Sequence, residues 1–502
     1  MSTTPQDRHA DDRAPDRDPA PSLEPAADVQ DPRRWRALAV LLLVQFMLIL
    51  DVSAVNIALP AIAGDLGFSR SGLTWVVDSY VLMAGSLLLL GGRLGDVLGR
   101  RRLFLAGVTV FGVASVACGL AQDPGTLVAA RFAQGVGEAL AAPAAFGLIA
   151  LLFTDARERT KAVGFFGGIA GVAGTSGPIL SGALVEYASW RLIFLVNVPV
   201  AIAALVLVPR LVARDAPRRA GDLRSLDVTG AVLVTAGLTG VVYGLIEAAS
   251  HPWSSGRVLT PLLGGLVLVG VFVLHQTRAV NPLLPLRFLH ERTRVGANVV
   301  TLLFSSVFFS QFFITTLYLQ GVLGFSALRA GLGFLPFGVA VGAALGLATA
   351  LIPRVGIRPV LVVGLGLDVV GAALFTRITT DGSYLTQVLP ASVVFALGAG
   401  MCLPALGNAA IHRVTQDDAG LASGLQQALQ QIGGAVGLAV LVTLALRAAE
   451  DAALGGADPG AAITDGYVLA LRVSVGVLVA AAALAAVLLP PDAGRTKGPA
   501  SA

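Results

Sequence analysis

Five ionisable side chains stand inside long apolar runs: Asp51, Asp78, Arg131, Glu138 and Asp368. A charged group in mid-membrane costs about 3 kcal/mol on insertion scales, so the five together oppose burial by roughly 15 kcal/mol unless each meets water or a partner. Groups held at that cost can carry protons or balance a charged cargo. Arg131, Gln134 and Glu138 fall at i, i+3 and i+7, on one helix stripe, with Arg131 and Glu138 about 10 Å apart along the axis. That separation excludes a direct rigid pair and predicts a water or an incoming proton between them. Asp78, in Trp75-Val76-Val77-Asp78-Ser79-Tyr80, and Asp51, on a neighbouring antiparallel run, are expected at similar depth. Each also has an architectural reading: polar glue between helices for the Arg131 stripe, a cap or interhelical hydrogen bond for Asp78, and support for a bend near Asn56 to Pro60 for Asp51.

Neutral polar groups mark a second set. Gln426, Gln427, Gln430 and Gln431 form two adjacent i, i+4 stripes among Gly420, Gly424, Gly433 and Gly434, suited either to a cavity wall or to close helix packing. Gln311 lies beside the i, i+4, i+8 stripe of Phe304, Phe308 and Phe312, a stripe expected to face lipid rather than stack on cargo. Gln134, Gln311, Asp368, Gln427, Gln430 and Gln431 are the substrate-cavity candidates.

Composition says what must position these residues. The chain has 502 residues, 55% hydrophobic and 13% charged, with mean hydropathy +0.79. A soluble domain carries about twice that charge. Apolar runs of about 20 residues indicate helices, not the roughly 10-residue alternating strands of a barrel. About 14 spans are expected, near 37–59, 73–92, 103–121, 126–150, 161–185, 191–209, 227–248, 258–276, 295–319, 329–352, 359–377, 386–409, 420–446 and 467–489. Basic clusters recur in alternate loops, at Arg33/Arg34/Arg36, Arg100/Arg101/Arg102, Arg157/Arg159/Lys161 and Arg210 to Arg224, which places both termini in the cytoplasm. The formal charge of +4 is therefore not a nucleic-acid footprint.

Other chemistries find little support. Cys118 and Cys402 lie in apolar runs, the five histidines lack metal-ligand spacing, and no phosphate-binding loop occurs. No metal or cofactor is expected, and the driving energy is not expected to be ATP bound by this chain; the family resemblance given below implies a proton gradient instead. The expected partners are a small-molecule substrate, protons and the bilayer, with the monomer as functional unit.

A lag of about 260 residues relates Lys161-Ala162-Val163-Gly164, Gly174 and Gly177 to Leu421-Ala422-Ser423-Gly424, Gly434 and Gly437, the internal repeat of a two-halved transporter. The expected organisation is a disordered tail (1–36), a six-helix half (37–209), a linker with two extra helices (210–294), a second six-helix half (295–489) and a short tail (490–502).

Four motifs carry a family resemblance. Gly92 to Arg101 resembles G-x-L-x-D-x-x-G-R-[RK], with Val97 where a basic residue is usual. Leu50-Asp51-Val52-Ser53-Ala54-Val55-Asn56-Ile57-Ala58-Leu59-Pro60 resembles L-D-x-T-[IV]-V-N-[VI]-A-L-P. Arg131-Phe132-Ala133-Gln134-Gly135 and the glycine run ending in Gly177-Pro178 complete the set, the last departing from pattern at Ala173 and Ser181. On these residues the chain resembles the major facilitator superfamily, and within it the 14-span drug:proton antiporters (DHA2). The resemblance implies an all-α polytopic fold, two six-helix halves plus two central helices, and no enzymatic activity. It implies proton coupling through Asp78, Asp51, Arg131 and Glu138. It also implies a conformational latch at Gly92, Asp96, Gly99, Arg100 and Arg101, and an antiporter glycine motif at Gly164, Gly174, Gly177 and Pro178. The expected function is export of an antibiotic or other amphipathic molecule across a bacterial cytoplasmic membrane. Export of a native metabolite, a transport-inactive sensor and uptake are the alternatives.

Overall fold

The computed structural model describes residues 33–153, 155–215, 226–284, 291–412, 414 and 419–490. Most of the expected tails, and part of the basic stretch between Arg210 and Arg224, lie outside them. In lipid every backbone polar group must be satisfied within its own segment, and the apolar runs accordingly form helices. In chain order these are α1 (Arg34–Leu66), α2 (Trp75–Leu98), α3 (Arg100–Leu120), α4 (Pro124–Leu152), α5 (Ala156–Tyr187), α6 (Leu192–Leu195), α7 (Asn197–Leu211), α8 (Val228–Glu247) and α9 (Gly256–Gln276). There follow α10 (Arg292–Leu317), α11 (Ala327–Gly333), α12 (Leu335–Val355), α13 (Ile357–Phe375), α14 (Leu389–Ala410), α15 (Ala419–Leu454) and α16 (Pro459–Leu488).

Thirteen of the described helical segments, counting α6–α7 and α11–α12 as single segments, are long and apolar enough to cross a membrane. The span expected near 161–185 falls on α5, whose 32 residues reach about 48 Å at 1.5 Å each. It runs the depth of the bundle. Near its start Glu158 meets Arg34 at 2.8 Å, and near its end Glu186 accepts from the Leu328 amide at 2.9 Å.

Two apolar cores divide the molecule, one built mainly from α1 to α7 and the other from α10 to α16. Glycine contacts repeat between them. On α3 and α4, Gly107 packs on Ala141 and Gly137 on Phe111; on α13 and α14, Gly364 packs on Cys402 and Gly398 on Asp368. Bare backbone at these points lets helix axes approach closely. The α8–α9 hairpin is held the same way, by Gly237 against Val269 and Gly244 against Leu262. It bridges both cores: Tyr243 lies 6.1 Å from the Trp75 ring of α2, while Thr443 of α15 donates to the Leu245 carbonyl at 2.8 Å.

The cores meet unevenly. Where α5 ends, Gly182 abuts Leu328, the Pro178 carbonyl abuts Gly331, and Thr175 abuts Gly338. Gln320 adds a hydrogen bond to the Ile57 carbonyl at 2.9 Å. Gly168 and Gly164 share that α5 face at heptad spacing from Thr175 and Pro178, yet neither has a neighbour within 4 Å of where a Cβ would stand. Gly342 and Gly346 on α12 are equally unopposed. The contacts between α5 and the α11–α12 segment given above therefore gather toward the end of α5.

Candidate functional site

The buried charges assemble inside the first core. Asp51 projects from α1 and Arg131 from α4, both essentially inaccessible, and the guanidinium NH1 bonds directly to Asp51 Oδ2. Asp51 Oδ1 accepts from Asn197 Nδ2 at 2.8 Å and from Gln134 Nε2 at 3.2 Å. Arg131 is held further by the Val76 carbonyl at 2.8 Å, by Gln134 Oε1 at 2.9 Å and by the Tyr80 ring, whose centroid lies 4.2 Å from Cζ. Ser115 Oγ accepts from Gln134 at 2.8 Å and Cys118 Sγ donates to it at 3.2 Å. Five helices therefore converge on one saturated network, as a buried ion pair requires to offset its desolvation.

The spacing along α4 does not give this partner: Arg131 pairs with Asp51. Glu138 lies two turns further along α4, buried, with Oε2 unpartnered and the Tyr80 hydroxyl as its neighbour. Tyr80 lies over Arg131 and beside Glu138.

Asp78 is different from Asp51 in kind. It is fully buried on the first turn of α2 and neither carboxylate oxygen has a hydrogen-bond partner. Seven residues on, at Gly85, α2 approaches α15 so closely that a Cβ would lie 2.7 Å from Gln431 Cβ. Heptad spacing puts Asp78 on that same face, at the seam between the two cores.

The remaining candidates scatter. Asp368 is buried within the α13–α14 contact, where Cys402 Sγ donates to Oδ2 at 3.4 Å and Oδ1 has no partner. Gln431 is buried against α2, Gln430 half-buried and Gln427 exposed, so the four amides do not share one wall. The phenylalanine stripe does not face lipid. Phe304 is buried, while Phe308 and Phe312 pack on Phe334 and Phe337 of the α11–α12 segment. A kink between α11 and α12 carries Phe334 inward at their junction, a position that periodicity alone does not give.

On the glycine motif, Gly177 leaves room for the Ser53 side chain and Ser181 donates to the Ala54 carbonyl at 2.6 Å, fastening α5 to α1. Gly164 and Gly174 have no such neighbour. At the α2–α3 turn Gly99 adopts φ +100°, a conformation glycine tolerates, and the amides of Arg101 and Arg102 donate to Asp215 at 3.2 and 3.0 Å. Arg100 reaches the Gly147 carbonyl at 2.9 Å and Arg101 that of Pro209 at 3.0 Å; Gly92 has no close neighbour. The Asp96 side chain lies outside the described residues.

Asn197, Tyr80 and Asp215 were not singled out in the sequence. Asn197 had a usable signal, a lone amide in the run Ile193 to Val200. Among the described residues no cluster of His, Cys, Asp and Glu is arranged to hold a metal ion.

Comparison with known proteins agrees with this architecture. The chain is 42% identical over 486 residues to the puromycin resistance protein pur8 of Streptomyces alboniger, covering 95% of each. It is 39% identical to the lincomycin resistance protein of Streptomyces lincolnensis, covering 91% of this chain and 92% of that one. It is also 39% identical to the cephamycin export protein CmcT of Amycolatopsis lactamdurans, over 81% and 84%. Among solved structures, a bacterial homolog of the human lysosomal transporter Spinster superposes with TM-score 0.63 at 16% identity, over 90% and 96% of the two chains. A D-xylose-proton symporter gives TM-score 0.61 at 15% identity, over 92% and 99%. These two establish the fold. The Major Facilitator Superfamily model matches residues 41–438, and with that match, the sequence relatives and the helical architecture together, the chain belongs to the Major Facilitator Superfamily and is a membrane transporter of small molecules.

Proposed function

We propose that the protein is a drug:proton antiporter of the DHA2 type, exporting an antibiotic or similar amphipathic molecule across a bacterial cytoplasmic membrane with both termini in the cytoplasm. In that orientation the α5–α11 contact is the outer seal of the cleft between the cores. The observation that carries the reading is Asp78, a carboxyl group buried at the seam between the cores with no partner for either oxygen. An ionised carboxylate left unpaired there is costly, and taking up a proton removes the cost. Protonation and the packing of α2 on α15 are then linked, because separating the cores at this point lets water reach the group.

Asp51, already neutralised by Arg131, holds the α1–α4–α7 framework that carries α2. Glu138, beside Tyr80, is a second proton position reached from the cleft. Each proton entering down 100 mV supplies about 2.3 kcal/mol, enough for roughly a 50-fold concentration ratio per charge. The resistance and export proteins named above support an antibiotic as cargo.

The test is puromycin accumulation in everted vesicles under an imposed pH gradient, with lincomycin alongside. Accumulation that collapses when a protonophore is added is expected. Accumulation of either drug that persists without a gradient would remove proton coupling, and accumulation of neither would turn the assignment toward a native metabolite.

A further inference from the structure

Behind the outer seal, between α10 and the α11–α12 segment, four aromatic rings close on one another. Phe312 stacks on Phe334 with centroids 4.3 Å apart and planes 25° apart, and Phe337 stands edge-on to both at 6.3 and 6.4 Å. Phe308 completes the set, 6.3 Å from Phe337. Gln311 projects between them. It is 5% exposed, its Nε2 donates to Thr315 Oγ1 at 3.1 Å, and its Oε1 has no partner. No charged side chain lines the small gap that remains. An unsatisfied buried amide oxygen costs free energy that a donor would recover.

We propose that this pocket is a binding subsite for a flat, uncharged aromatic group bearing an N–H or O–H donor, a part of the exported molecule; the assignment rests on the export function proposed above. The phenylalanine faces stack on the ring, and the donor at its edge bonds to Gln311 Oε1. The empty gap is on the order of one water molecule, so the ring enters as Phe312 or Phe337, both half-buried, turns aside. Phe334 lies between Gly331 and Gly338, the two points where this segment meets Pro178 and Thr175 of α5. Filling the pocket therefore acts on the contact that seals the cleft.

Photolabelling of the full-length protein in lipid nanodiscs with 4-azidoaniline, a neutral aromatic amine, followed by peptide mapping, tests this. Label is expected on residues 304–337, suppressed by phenol and not by cyclohexanol, and reduced at least about threefold by Gln311→Leu, which keeps the side-chain volume. Phe312→Ala should reduce it similarly if thermal unfolding shows the variant folded. Label concentrated on the outward apolar face of α9, or unchanged in Gln311→Leu, overturns the subsite. Failure of the export reading shows separately, as absence of puromycin accumulation by the wild-type vesicles.

Discussion

Arg131 bonds to Asp51 of α1, eighty residues away in sequence, and not to Glu138 on its own helix. The pair is closed to water; Asp51 Oδ1 also accepts from Gln134 and Asn197, and Arg131 Nε donates to the Val76 carbonyl. Removing one partner strands the other charge. Asp51→Ala or Arg131→Ala should each destabilise the protein by about 3–5 kcal/mol, and the double variant by clearly less than the sum. Thermal unfolding in detergent measures this; strictly additive losses would mean the two groups do not depend on each other.

Glu138 stands outside that saturated network, with one oxygen unpartnered. Glu138→Gln should move the pH dependence of transport while leaving substrate affinity within about twofold, because the amide keeps shape and polarity but cannot take up a proton. Transport rate against pH in vesicles, with binding measured on the same preparation, decides it. An unchanged profile would assign Glu138 to helix packing.

In the proposed cycle the α5–α11 contact parts during transport. Glu186 and Leu328 lie on opposite sides of it, joined by a 2.9 Å hydrogen bond. Replacing both by Cys and bridging them with a short bis-maleimide should stop transport, while either single variant with the same reagent remains active. Native Cys118 and Cys402 are buried and should not compete for reagent. Full activity in the bridged protein would show that α5 and α11 stay together throughout.

Asp227, before α8, clamps the end of the α9 hairpin arm. Its carboxylate accepts from Gly230 N, Gln276 Nε2 and His275 Nε2, each at 2.7 Å. Burial tends to raise its pKa, but the bonds from Gln276, Gly230 and His275 outweigh that and leave it below the ordinary carboxylate value. A depressed folded pKa stabilises fully above the unfolded value of about 3.9, and the contribution is lost as pH falls through the folded value. Asp227→Asn should cost about 2 kcal/mol at pH 7 and show less acid sensitivity below pH 4 than wild type. Parallel acid-unfolding curves for the two proteins would contradict the clamp.

The sequence made the helices legible because a membrane leaves the backbone few choices, and it marked Asp51, Asp78, Arg131 and Glu138 because ionisable groups are rare in apolar runs. Periodicity along one helix cannot say which neighbour a side chain meets. The Arg131 to Glu138 spacing is too long for a direct pair, and the partner of Arg131 comes from α1 through packing that no local pattern encodes. Asn197 had a visible signal in its isolation; Asp215, in a polar loop, had none. The Phe304–Phe312 stripe turned inward because the α11–α12 kink brings Phe334 and Phe337 to meet it. Gln427 and Gln431 share a stripe but lie one turn apart along α15, and only Gln431 is level with the close approach at Gly85.

In the proposed mechanism proton coupling rests on Asp78. In everted vesicles carrying Asp78→Asn at normal expression, pH-gradient-driven puromycin accumulation should fall to background while substrate exchange without a gradient continues, since the amide preserves packing but carries no proton. Gradient-driven accumulation at the wild-type rate in that variant would contradict it.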